Sequence, residues 1–75
     1  HETLKDYLTR VRMEKAERLL TTTTDTIGEV AAAVGYEDAL AFSKVFHKKY
    51  HVSPRAYREQ YAKNPEDLQI KNNFF

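Results

Sequence analysis

The feature that most constrains the fold is a pair of short helical patterns, residues 26–36 and 38–46, that meet at one glycine. The first pattern has apolar residues at the i, i+3, i+4, i+7 spacing of a buried helix face: Ile27, Val30, Ala31 and Val34. Thr26 and Glu29 form a Thr-x-x-Glu capping box at its start. Gly35 follows its last apolar residue and predicts a left-handed turn that ends the helix. The sequence therefore predicts two helices joined by a tight turn.

Two more helices are predicted around this pair. Residues 3–20 contain no Gly or Pro and are rich in good helix formers, so they predict a long first helix. Asp38 is the predicted N-cap of the third helix, which runs to about Tyr50, and Ser53 with Pro54 predicts the start of a fourth. We expect an all-α fold, in which the last three helices form a homeodomain-like core.

The first helix carries two apolar stripes rather than one. Four residues form the N-terminal stripe: Leu4, Tyr7, Leu8 and Val11. A second group, rotated by roughly 140° around the helix, is Met13, Ala16, Leu19 and Leu20. Because a helix on one core needs only one stripe, we expect the second group to pack on this domain and the N-terminal stripe to pack elsewhere. The alternative is a helix wrapped on both sides by its own small domain.

The bulk properties place the chain among small domains. Its 75 residues make one domain and contain no cysteine, which excludes disulfides and fits a reducing cytoplasm. No apolar run is long enough to span a membrane and no signal peptide is visible. The chain opens on His1 rather than on Met. We expect a cytoplasmic protein, with no membrane partner, of which this is one piece.

Charge is strongly segregated although the net charge is only +1. Residues 1–38 carry five basic and eight acidic side chains, whereas residues 39–63 carry six basic side chains and Glu59 alone. The last twelve residues have a net charge of −1. The positive charge therefore lies on the third helix and the segment after it, which favours contact with phosphates.

Four groups of residues occur together in a characteristic order. They are Tyr7, Leu8, Arg12, Ala16, Leu19 and Leu20; Ile27, Glu29, Val30, Ala31, Val34, Gly35 and Tyr36; residues 42–46; and Ser53, Pro54, Tyr57 and Arg58. This pattern resembles the second half of the DNA-binding module of AraC/XylS-type transcription regulators. The resemblance implies a linker helix (1–22), a helix-turn-helix subdomain (23–63) with a recognition helix at about 38–50, and a C-terminal tail (64–75).

The resemblance also implies a function and its partners. The expected function is sequence-specific binding of double-stranded DNA by a bacterial transcription regulator that activates or represses promoters. The family module has a first helix-turn-helix unit, and many members carry a sensory domain; we expect both to belong to a longer parent protein, outside these 75 residues. His47 stands where Lys is common, and residues 50–52 replace the usual glycine-containing turn.

The candidate DNA-binding residues lie mainly on the outer face of the third helix. Lys44 is suited to guanine or phosphate, Ser43 to bases or phosphate, and Ala39 and Leu40 to a thymine methyl group. The remaining candidates are His47 on the same face, the phosphate-positioning Lys48, Arg55 and Arg58, and the helix N-terminus at Thr26. For each cation, plain solvation is the alternative. For Arg12 we expect a structural ion pair with an acidic neighbour such as Glu29 or Asp38.

Other functions find less support. His47 and His51 have i, i+4 spacing but no evident third ligand, so we expect no metal and no other cofactor. Ser43 and His47 lack an orienting group, and there is no phosphate-binding glycine loop, so we expect no enzyme activity. The alternative function is a protein-interaction module that contacts RNA polymerase or a partner subunit through the acidic N-terminal half. An exposed N-terminal stripe also predicts a dimer through the first helix.

Overall fold

The computed structural model describes residues 2–62, which form four α-helices and no β-strand. The helices are α1 (Leu4–Thr22), α2 (Ile27–Ala33), α3 (Ala39–Tyr50) and α4 (Pro54–Tyr61). The predicted all-α fold, with four helices in this order, is confirmed. The division into residues 1–22, 23–63 and 64–75 remains a prediction, and residues 63–75 lie outside the described part of the chain.

Each helix begins at a side chain that accepts a hydrogen bond from a backbone amide of the first turn. The cap residues are Thr3, Thr26, Asp38 and Ser53. At Thr26 the capping box is complete, because Glu29 Oε1 accepts from the Thr26 amide at 2.8 Å and Thr26 Oγ1 accepts from the Glu29 amide at 3.1 Å. Such caps satisfy amides that have no partner within the helix, so the sequence sets the four start points locally.

The end of α1 differs from the prediction. We predicted that the helix ends near Leu20, but it continues to Thr22. The hydroxyls of Thr21 and Thr22 donate to the carbonyls of Glu17 and Arg18, at 3.0 Å and 2.6 Å. These bonds satisfy the polar side chains inside the last turn, so the β-branched residues extend the helix despite their lower propensity.

The core lies between the second stripe of α1 and the inner faces of α2 and α3. Its buried apolar residues are Met13, Ala16, Leu20, Val30, Ala31, Val34, Phe42 and Phe46. Leu19 and Ile27 are partly buried against this core. Phe42 and Phe46 of α3 are therefore buried against α1 and α2. Within residues 2–62, no helix combines the length and the apolar character that crossing a bilayer requires.

The N-terminal stripe is not part of this core. The exposed fraction of its residues ranges from 40% at Val11 to 74% at Leu4. The predicted separation of α1 into a buried stripe and an exposed one is therefore confirmed. What covers the N-terminal stripe remains a prediction.

Aromatic residues join α3 and α4 to α1. The Phe46 ring lies 4.4 Å from the Tyr50 ring and 5.4 Å from the Tyr57 ring, centroid to centroid. The Tyr50 hydroxyl donates to the Met13 carbonyl of α1 at 3.4 Å, and Glu17 Oε2 lies 3.5 Å from the same hydroxyl. Burial, followed by the Glu17 charge, raises the pKa of Tyr50 to about 12. This cluster fixes the C-terminal half of α3 on the domain.

Candidate nucleic-acid interface

The turn between α2 and α3 determines where α3 points. Gly35 has φ +97°, a left-handed conformation that glycine adopts without a steric penalty. The Gly35 amide donates to the Ala32 carbonyl at 3.1 Å, and the Tyr36 amide donates to the Ala31 carbonyl at 2.8 Å. These two bonds are those of a Schellman motif. The chain therefore leaves α2 in a defined direction and enters α3 at its cap, Asp38, whose carboxylate accepts from the Leu40 amide at 2.9 Å.

Helix α3 has two different faces. Phe42 and Phe46 are completely buried, and the Phe42 ring also lies 5.8 Å from the Tyr36 ring beside the turn. Since these rings hold one face inward, the opposite face projects away from the core. That outer face is the one on which most candidate residues were predicted.

The outer face of α3 presents polar side chains that are free of protein partners. Lys44, His47 and Lys48 are exposed, and within residues 2–62 their side chains make no hydrogen bond or ion pair. Ala39 is exposed, Leu40 is 62% exposed, and Ser43 is half-buried. The structure therefore exposes five of these six predicted residues of α3 and leaves Ser43 partly accessible.

The candidates on α4 differ from each other. Arg55 is exposed and lies 3.8 Å from the Glu59 carboxylate, a loose surface pair. Arg58 is half-buried, and its Nε donates to the Leu20 carbonyl at the end of α1, at 2.9 Å. Burial lowers the pKa of the Arg58 guanidinium, and the charge of Asp25 opposes that shift. Arg58 is thus fixed against α1, while Arg55 remains at the surface.

Thr26 also forms its hydrogen bonds within the chain. Its hydroxyl and its amide both belong to the capping box with Glu29. The Glu29 carboxylate already lies at this helix end and disfavours a second anion there. The group that sequence reasoning offered for a phosphate is thus already bonded inside the domain.

His47 and His51 are not held on one helix face. His51 follows the last residue of α3 and has φ 67°, in the left-handed region. Residues 2–62 contain no group of three or more histidine, aspartate or glutamate side chains placed to bind a metal ion together.

Comparison with known proteins places this geometry in a family. A family model described as a helix-turn-helix domain matches residues 1–60. The chain belongs to the AraC/XylS-type helix-turn-helix family. It is 49% identical over 55 residues to the HTH-type transcriptional activator RhaR of Pectobacterium atrosepticum. These 55 residues cover 73% of this chain and 19% of that protein. The chain is 42% identical over 60 residues to the lactose operon transcription activator of Staphylococcus xylosus. These 60 residues cover 80% of this chain and 22% of that protein.

A solved structure in the same family has the same fold. It is the C-terminal domain of the two-component response regulator yesN from Fusobacterium nucleatum, with a TM-score of 0.74 and 46% identity. The match covers 75% of this chain and 54% of that domain. The chain spans about a fifth of the length of the curated AraC-family relatives it matches.

Sequence reasoning missed the role of Arg12 in this family member. The predicted ion pair is wrong, since Arg12 makes no ion pair within residues 2–62. Its guanidinium instead lies over the Tyr36 ring, with Cζ 5.7 Å from the ring centroid. A contact between residues 24 positions apart leaves no periodic signal, so only the packed structure reveals it.

Proposed function

We propose that this chain binds double-stranded DNA by placing α3 in the major groove, as part of a bacterial transcription regulator. The observation that carries the proposal is the outer face of α3, which presents Lys44, His47 and Lys48 without protein partners. The membership of the AraC/XylS-type family supports it. A helix that follows a tight turn and projects cations is suited to a groove lined by phosphates and base acceptors.

Each position on the proposed interface has a distinct chemical task. Lys44 donates to guanine O6 and N7 or to a phosphate, and Ser43 bonds a base edge or a phosphate. Leu40 and Ala39 offer only apolar contact, for which a thymine methyl group is the matching partner. His47, Lys48 and Arg55 position the helix on the backbone. Thr26 and Arg58 contribute least, because their polar atoms already bond within the chain.

The affinity of this single recognition helix is expected to be low. About three phosphate contacts give a slope of roughly −2.7 for log affinity against log salt. We expect a dissociation constant on the order of micromolar or weaker at physiological salt. Fluorescence anisotropy with a labelled duplex, measured across a salt series, gives both quantities.

Two lysines of α3, Lys44 and Lys49, provide a matched pair of variants. Both lysines are exposed, but Lys49 Nζ lies 5.7 Å from the ring centroid of Tyr50, whose hydroxyl contacts α1. We expect Lys44→Ala to weaken binding about 5- to 150-fold, since a good base contact contributes roughly 1–3 kcal/mol. Lys49→Ala removes the same charge from the same helix and should have a much smaller effect. Equal effects of the two variants, or a salt slope of zero, would contradict the proposed interface.

The alternative candidate function is contact with RNA polymerase or a partner subunit through the acidic half of the chain. The double variant K44A/K48A separates it from DNA binding. If DNA binding is lost and capture of purified RNA polymerase is unchanged, the two functions use different surfaces. If the chain captures RNA polymerase but binds no duplex at any salt concentration, the protein-interaction function replaces the proposed one.

A further inference from the structure

Arg12 is a cation whose position no part of the proposed interface explains. It lies on α1, yet its guanidinium covers the turn that joins α2 to α3. A Cβ built on Gly35 would lie 3.5 Å from both Cζ and Nε of Arg12, which is ordinary van der Waals contact. The same guanidinium faces the Tyr36 ring, with Cζ 5.7 Å from the ring centroid. Arg12 thus packs on two consecutive residues of the turn.

The neighbouring turn of α1 contacts the same place. Lys15 Nζ lies 3.5 Å from the carbonyl oxygen of Ala33, the last residue of α2. A cation at the carboxyl end of a helix is favourable because the last carbonyls carry partial negative charge. One face of α1 therefore holds both the end of α2 and the turn that follows it.

This contact is transmitted directly to α3. The Tyr36 ring, which Arg12 covers, packs on the Phe42 ring at 5.8 Å. Phe42 is completely buried and lies in the first half of α3. Arg12, Tyr36 and Phe42 therefore form a continuous stack from α1 to the N-terminal half of α3. The other end of α3 is held separately, by the contact of Tyr50 with Met13.

From this stack we infer that Arg12 is a positioning residue: it fixes the direction of the N-terminal half of α3 relative to α1 and does not itself bind DNA. The inference rests on the proposed function. The planar guanidinium is the property that matters, because it covers a glycine backbone and an aromatic ring at once, which the compact ammonium of lysine does not do. Base contacts by Leu40, Ser43 and Lys44 depend on that direction, whereas phosphate contacts tolerate a small change in it.

The test compares Arg12→Gln and Arg12→Lys with the matched variant Arg10→Gln. Arg10 is also an α1 arginine over a tyrosine ring, at 5.2 Å from Tyr7, but it lies away from the turn and pairs with Glu2 and Glu14. A preferred duplex is first selected from a randomised library with the unchanged chain. Affinity for that duplex and for an unrelated duplex is then measured across a salt series, at a temperature where thermal unfolding shows each variant to be folded.

We expect both Arg12 variants to lower the ratio of the affinity for the preferred duplex to the affinity for the unrelated duplex. The decrease should be about fivefold or more, which is the effect of losing one base contact. Their affinity for the unrelated duplex and their salt slope should stay unchanged, and Arg10→Gln should behave like the unchanged chain. If the Arg12 variants reduce the salt slope by about 0.9, Arg12 contacts a phosphate itself and the inference is wrong. The inference is also wrong if the Arg12 variants change only the unfolding temperature, or if Arg12→Lys has the same affinity ratio as the unchanged chain. Absence of any duplex binding by the unchanged chain would instead refute the proposed function.

Discussion

Replacement of Arg58 by alanine tests whether this residue holds the domain together. Its Nε donates to the Leu20 carbonyl at 2.9 Å, near the carboxyl end of α1. The bond attaches α4 to α1 and satisfies a carbonyl that has no partner within the helix. The guanidinium also places a positive charge at the negative end of the helix dipole. Arg58→Ala removes all three effects together.

The magnitude follows from two opposing contributions. A hydrogen bond from a charged donor contributes about 1.5–3 kcal/mol. Burial lowers the pKa of Arg58, and within residues 2–62 its buried Nη2 has no hydrogen-bond partner, so part of that gain is already offset. We therefore expect Arg58→Ala to lower the free energy of unfolding by about 1–2 kcal/mol. For a domain of this size, that corresponds to a fall of roughly 4–16 °C in the midpoint of thermal unfolding.

The chain offers a matched control three residues earlier. Arg55 lies on the same helix but its side chain is 84% exposed, with only the loose pair to Glu59 at 3.8 Å. Arg55→Ala should change the free energy of unfolding by about 0.5 kcal/mol or less. Arg58→Met, which keeps much of the apolar stem, should still be destabilised because the hydrogen bond is lost. If thermal unfolding monitored by circular dichroism shows no larger shift for Arg58→Ala than for Arg55→Ala, the reasoning is refuted.

Four other predictions follow from the fold. Phe46→Ala should lower the free energy of unfolding by about 3–5 kcal/mol in urea, because the ring is completely buried; Phe46→Leu should lose much less, and a loss of under about 1 kcal/mol for alanine would contradict this packing. His51→Gly should raise the free energy of unfolding by about 1 kcal/mol, since His51 has φ 67° and glycine adopts that conformation without strain; His51→Ala, which keeps the Cβ, should show no such gain. The pKa of Tyr50 is raised to about 12 in the folded chain, so the stabilisation by its neutral form is complete below pH 10 and is lost between pH 10 and pH 12; Tyr50→Phe should flatten this alkaline fall in urea titrations, and an unchanged fall would argue against it. The exposed N-terminal stripe predicts self-association of this chain through α1; sedimentation across a concentration series should show dimers that Leu8→Lys removes, whereas a monomer at all concentrations would disprove the dimer.

The sequence by itself determined the local features of this protein. Each helix starts at a cap whose bonds span at most three residues, and the turn at Gly35 depends on a single residue with a positive φ. The periodic apolar residues of α2 indicated its buried face, and the two stripes of α1 separated a buried face from an exposed one. These properties are readable in the sequence because their causes lie within one or two helical turns.

Only the tertiary structure decided how the cations are used. Arg12, Arg55 and Arg58 look alike in the sequence, as basic residues in helical segments. In the folded chain Arg12 covers the turn, Arg58 bonds to the end of α1, and Arg55 remains at the surface. The physical reason is that a long side chain acquires its partner from whichever backbone or ring comes within its reach. In this chain those partners lie 24 residues from Arg12 and 38 from Arg58, distances over which helical periodicity carries no information.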